Sequence, residues 1–219
     1  MFYDFDFHYN DYGCELYFCP MSRYKTMAKL SSGEFKDRGS KFIGYAKACY
    51  SEEDAKLLIA DLWKDNHKAC HVCYAYKIGL DNPIIRINDD GEPSNTGGQP
   101  IMNYINKYEL DNIVIAVVRY FGGTLLGKGG LINAYGNAAD FAIQNGKISN
   151  RSEKIILNLS LPFDNYALVV DSLKKMNVTF LGEDFDTNCH FEIQIEKEHL
   201  EQLEEKLSEF KIDSLKLKS

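Results

Sequence analysis

A chain of 219 residues that is 45% hydrophobic carries enough apolar material for one large packed domain or two small ones, which excludes wholesale disorder. No apolar stretch approaches the ~20 residues of a bilayer-crossing helix, and no basic flank with an apolar core marks an export signal. Six irregularly spaced cysteines then read as reduced thiols of a cytoplasmic protein. The net charge of −7 is uneven: residues 21–148 hold sixteen bases against fourteen acids, a slightly basic middle in an acidic chain. That balance is compatible with nucleic acid but far short of a strongly basic footprint.

Residues 1–20 crowd aromatics among four acids with no sustained period. They read as a leader ahead of a translation start at Met21, or as a disordered tail. A first domain spans 21–148. In it, Thr26 to Phe35 and Lys41 to Tyr50 form a strand pair around the charged turn Lys36 to Ser40. Ser51 caps a helix whose stripe is Ala55, Leu58, Ile59 and Leu62, running to about Lys64. His71 to Ile78 and Ile84 to Asn88 form a second hairpin. A helix follows from about Gly97 to Tyr108, then the strand Asn112 to Val118, whose short β-branched run marks it as buried. A long helix runs from about Gly129 to Gln144.

Gln144 to Asn150 reads as a helix stop and a polar linker. A second domain, 149–219, then shows strand (154–161), helix (165–176), strand (179–184), strand (189–196), helix (198–210) and strand (213–217). That order is the split βαβ, or ferredoxin-like, arrangement, so the fold class is α+β with two domains. As a superfold it says little about function.

The chemistry concentrates between Asn88 and Ala139. Asp89, Asp90 and Glu92 put three carboxylates in four positions, hard oxygen ligands suited to Mg²⁺. The alternative is a tight turn whose Asp side chains bond nearby amides; the twelve-residue calcium-loop pattern is missing, and no cofactor is expected. Gly122, Gly123, Gly127, Lys128 and Gly129 follow a strand and open a helix, which gathers backbone N–H groups for an anion. Gly122 to Lys128 nearly fits a P-loop, but Gly129 stands where the magnesium-binding hydroxyl belongs. Glycines kept only for close helix–strand packing are the alternative to a cradle made of these amides with Lys128 and Arg119. Arg119, Tyr120 and Phe121 offer a cation for phosphate and rings for base stacking, or ordinary core anatomy with an aromatic pair; of these, Arg119 and Tyr120 are the expected RNA contacts. Cys70 and Cys73 form a C-x-x-C, yet residues three apart on a strand face opposite sides, which argues against shared zinc. His71 reads as a partly buried histidine within reach of the acidic turn.

Two blocks of this stretch, Asp89-Asp90-Gly91-Glu92-Pro93 and Val117 to Tyr135, resemble the DDGEP and VVRYFGG-x-x-LG-x-GGL-x-x-AY signatures of the IMPACT/YigZ family. The likeness extends to Arg38 to Phe42 and into the second domain. The sequence departs from the pattern at Asn95, where glycine is usual, at Gly97, where alanine is usual, and at Val72, where a second histidine is common. The resemblance implies a first domain like domain IV of elongation factor G and RNase PH, and a second like elongation factor domain V. It also implies contact with RNA or ribosomes, since eukaryotic relatives regulate translation.

The expectation is therefore a non-enzymatic, translation-associated protein. It binds RNA or a ribosome-linked partner through a cleft between the acidic turn and the glycine loop, with His71 at its side. The rival is a magnesium-dependent phosphate-handling enzyme using the same cleft. Both require the segments near positions 90 and 125 to meet in space.

Overall fold

In the computed structural model, which describes residues 23–218, the chain divides into two units, one spanning Tyr24–Arg151 and one beginning at Ser152. The reading of residues 1–20 lies outside the described residues.

The first unit runs β1 (Arg23–Met27), β2 (Ser31–Asp37), β3 (Ser40–Ala48), α1 (Glu52–Asp65), β4 (His71–Ile78), β5 (Ile84–Asn88), α2 (Gly98–Lys107), β6 (Ile113–Tyr120) and α3 (Gly127–Gln144), with β7 (Ile148–Ser152) at its end. Five strands form one sheet in the order β2-β3-β6-β4-β5, antiparallel throughout. The β2–β3 hairpin turns on Arg38 and Gly39, both at positive φ (45° and 81°), the geometry that matches the twist of paired strands.

Strand β6 is central and covered on both faces, which is why its sequence is an unbroken apolar run. Ile113, Ile115 and Val117 join the core beneath α2 and α3. Val114, Ala116 and Val118 join a second core that includes Leu58 and Leu62 of α1. Helix α1 starts as expected, with the Ser51 hydroxyl accepting from the Asp54 N–H at 3.1 Å; such a cap stabilises by about 1 kcal/mol.

Two expectations change. The run Thr26 to Phe35 breaks into β1 and β2, because β1 leaves the main sheet and pairs with β7. The same pairing makes Ile148–Ser152 a strand where a linker was expected, and it carries the unit boundary on to Arg151.

The second unit contains β8 (Lys154–Leu161), α4 (Tyr166–Lys175), β9 (Thr179–Phe185), β10 (Cys189–Glu196), α5 (Leu200–Ser208) and β11 (Ser214–Leu217). Its sheet order, β11-β8-β10-β9, is antiparallel at every pairing, the topology of a split βαβ unit. Alternation places Cys189, Phe191, Ile193 and Ile195 of β10 in a core with Val169 and Leu173 of α4 and Leu203 and Leu207 of α5.

Candidate nucleic-acid interface

Successive side chains of a strand point to opposite faces, so β6 separates Arg119 from Tyr120, two residues expected in one site. Arg119 shares a face with Val117 and lies toward α3; its guanidinium sits 5.5 Å from the Phe42 ring centroid and 5.6 Å from that of Phe121. Tyr120 packs against the α1 core, and its hydroxyl donates to Asn66 Oδ1 at 2.6 Å. Tyr120 therefore lies on the face opposite Arg119, whose side its other neighbour Phe121 shares.

The acidic turn is built by its own amides. Asp89 Oδ1 accepts from the Gly97 and Gly98 N–H groups (both 2.9 Å), and Oδ2 accepts from Asn95 N–H at 2.8 Å. Partial burial pushes the Asp89 carboxyl up, but backbone N–H donors from Asn95 to Gly98 outweigh it and hold the group below the usual range. Asp90 accepts from Val72 N–H at 2.7 Å, which ties the turn to β4. The φ values of Asp90 (46°), Gly91 (86°) and Asn95 (62°) are left-handed, and asparagine tolerates at position 95 what glycine usually supplies. Asp89 and Asp90 thus hold the loop, the turn alternative for this motif. The three carboxylates do not converge on one point suited to Mg²⁺, because Glu92 turns elsewhere.

The Glu92 side chain is buried and forms an ion pair with Arg119, both side chains under 8% exposed. The same carboxylate oxygen accepts from the Tyr135 hydroxyl at 2.7 Å. Burial, with Cys73 and Glu92 beside it, pushes the Tyr135 phenol far up, so it stays a donor. Burial likewise keeps Cys73 a thiol, donating to the Asp89 carbonyl at 3.0 Å. His71 Nδ1 lies 2.7 Å from the Asp90 carbonyl, which can only accept, so the proton is on Nδ1 and Nε2 faces Glu92 at 4.0 Å.

Glu92 and Arg119 form the floor of a cleft of about 460 Å³. Its walls come from Cys70, His71 and Pro93 together with Phe121 and residues 125–128, and from Leu131 of α3. The segments near 90 and 125 do share one cleft, reached through Glu92 and Pro93 and not through Asp89 or Asp90. Cys70 lines it while Cys73 is buried beneath, so the pair does not present two thiols together.

The glycines divide by role. A Cβ on Gly122 would stand 1.9 Å from the Gly39 carbonyl carbon, so Gly122 is there for packing against the β2–β3 turn. Gly123 (φ 86°) and Gly127 (φ 71°) carry the left-handed turns of the loop, and a Cβ at Gly123, Gly127 or Gly129 would touch nothing. Of the four loop residues expected at the site, Lys128 lines the cleft, beside Gly127, whereas Gly122, Gly123 and Gly129 are not among its lining residues. Helix α3 begins there with no side-chain cap, leaving first-turn amides for solvent or ligand. Lys128 is exposed and pairs with no carboxylate among the described residues.

Leu125 and Tyr135 carry no site reading in the sequence, and Phe121 enters it only as a ring beside Tyr120. Strand parity carried the signal for Phe121 over Tyr120, and Tyr135 follows from its place one helical turn after Leu131.

A profile of the Impact N-terminal domain matches residues 38–143, which include every residue lining the cleft. An IMPACT family member of Haemophilus influenzae is 32% identical over 191 residues, 86% of this chain and 93% of that protein. The chain belongs to the IMPACT family. Another relative, the family member YvyE of Bacillus subtilis, is 30% identical over 186 residues, 85% of this chain and 86% of that protein. A crystal structure of a hypothetical protein superposes with a TM-score of 0.71 at 24% identity, covering 90% of this chain and 97% of that one, so the fold is shared. Family membership agrees with the resemblance drawn from Asp89 to Pro93 and Val117 to Tyr135; the geometry above shows what those signatures build.

Proposed function

We propose that this chain is a non-enzymatic, translation-associated cytoplasmic protein that binds RNA through the cleft between the acidic turn and the glycine loop. The observation that carries the reading is Lys128: an exposed cation without an acidic partner among the described residues, at the uncapped start of an 18-residue helix, on the wall of the cleft. A helix start and a free lysine together favour a phosphate. Family membership supports the translational setting, since the eukaryotic relatives implied by the resemblance regulate translation. A magnesium-dependent enzyme would need free carboxylates, but Asp89 and Asp90 spend theirs on backbone amides and Glu92 on Arg119 and Tyr135.

The test is the affinity of the full chain for labelled RNA across a salt series. Each phosphate contact adds about 0.7 to the slope of log affinity against log salt for single strands. Lys128→Ala is expected to weaken binding and flatten the slope by about that amount. Ribosome cosedimentation that survives nuclease, without any RNA affinity, would replace RNA by a ribosome-linked protein as the partner.

A further inference from the structure

The cleft carries more information about its ligand than the word RNA conveys. Its formal charges are few. Lys128 and Arg119 bring two positive charges and Glu92 brings one negative charge, bonded to Arg119 at the floor. One net positive charge remains, with roughly half a charge more from the start of α3. That balance suits the single negative charge of a phosphodiester. It does not suit a nucleoside triphosphate, whose added charge would face Glu92.

A second observation points to a ligand independently of the helix start. The Arg119 Nε–H is buried and has no acceptor among the described residues, although Arg119 lines the cleft and is 5% exposed. Buried donors are nearly always satisfied, and Arg119 is a side chain of this cleft that still lacks an acceptor among the described residues.

The walls are apolar and exposed. Phe121 is 47% exposed, Leu125 81%, and the Phe121 ring is backed by the Arg119 guanidinium. Large apolar groups this open at the mouth of a charged cleft offer a flat surface to a base. A cleft of about 460 Å³ lies within the size range of pockets that enclose one small ligand.

We infer that the cleft takes a single unpaired nucleotide of an RNA strand, with its phosphodiester at Lys128 and the start of α3 and its base on Phe121. The inference rests on the RNA-binding reading above and narrows it to single strands. Bases in a duplex are stacked and paired, and side chains reach them only when they are splayed out.

The full chain is titrated with a labelled single-stranded oligoribonucleotide and with the same sequence annealed to its complement. The single strand is expected to bind at least about tenfold more tightly, and Phe121→Ala to remove about tenfold of that affinity, the scale of one stacked base. Phe121→Leu, which keeps the apolar bulk, checks that the loss does not come from misfolding: it should fold as wild type and still lose affinity. Equal binding of single strand and duplex, or no loss in either Phe121 variant, would overturn this inference. The RNA-binding reading survives that result if Lys128→Ala still flattens the salt dependence; failure of both RNA forms to bind ends both.

Discussion

Glu92 and Arg119 form a buried ion pair on the floor of the cleft, and neither has another described partner of opposite charge closer to hand. A glutamate from the acidic turn thereby clips that turn to the central strand. Removing one member leaves the other charged and buried, at a cost of about 3–5 kcal/mol, whereas replacing both with apolar groups of similar volume costs far less. Urea denaturation of Arg119→Met should show a loss in that range, and Glu92→Leu combined with Arg119→Met should recover most of it. Equal stability of the single and double variants would remove the pair from its structural role.

Asp89 predicts an acid-sensitive turn. Its folded pKa lies below its ordinary value of about 4, since the donors from Asn95 to Gly98 outweigh the effect of burial. The stabilisation is therefore fully present above that value and lost as pH falls through the folded pKa. Asp89→Ala should cost about 1–3 kcal/mol at neutral pH, and the difference from wild type should shrink on acidification. A difference that grows toward low pH contradicts the assignment.

Two glycines of the loop should respond in opposite directions. Gly129 sits inside α3 with open space where a Cβ would go, so Gly129→Ala should stabilise by about 0.5–1 kcal/mol. Gly127 holds φ at 71°, where alanine costs about 1–2 kcal/mol. Thermal unfolding should raise the midpoint of the first variant and lower that of the second.

Tyr120 tests the division of β6 by face. Its hydroxyl bonds Asn66 on the α1 side, so Tyr120→Phe should cost about 1 kcal/mol of stability and leave RNA affinity within twofold. A selective loss of binding in that variant would place Tyr120 back at the ligand.

Much of this was legible in the sequence because local signals were strong. Ser51 with acids at 52–54 marked the start of α1, and His71–Ile78 and Ile84–Asn88 appeared at their observed bounds. The second unit followed from its element order alone. What was not legible depended on long-range pairing: β1 and β7 lie far apart in the chain, and nothing local to Ile148–Ser152 announces its partner. At the cleft, composition marked the right loops but not the direction of each side chain. Asp89 and Asp90 read either as ligands or as the fasteners of a tight turn, and they fasten the loop, while Glu92, two positions on, reaches the floor. Arg119 looked like a free phosphate clamp, and its charge is met from within.

Photocrosslinking reads the central claim most directly. Single-stranded RNA carrying 4-thiouridine is bound to the full chain, irradiated, and the adducts located by mass spectrometry. The account predicts adducts on the cleft walls, at Phe121 and in the Leu125–Lys128 segment, that are competed by unlabelled single strand. Adducts confined to residues beyond Ser152, or to the α1 face around Tyr120 and Asn66, would contradict it.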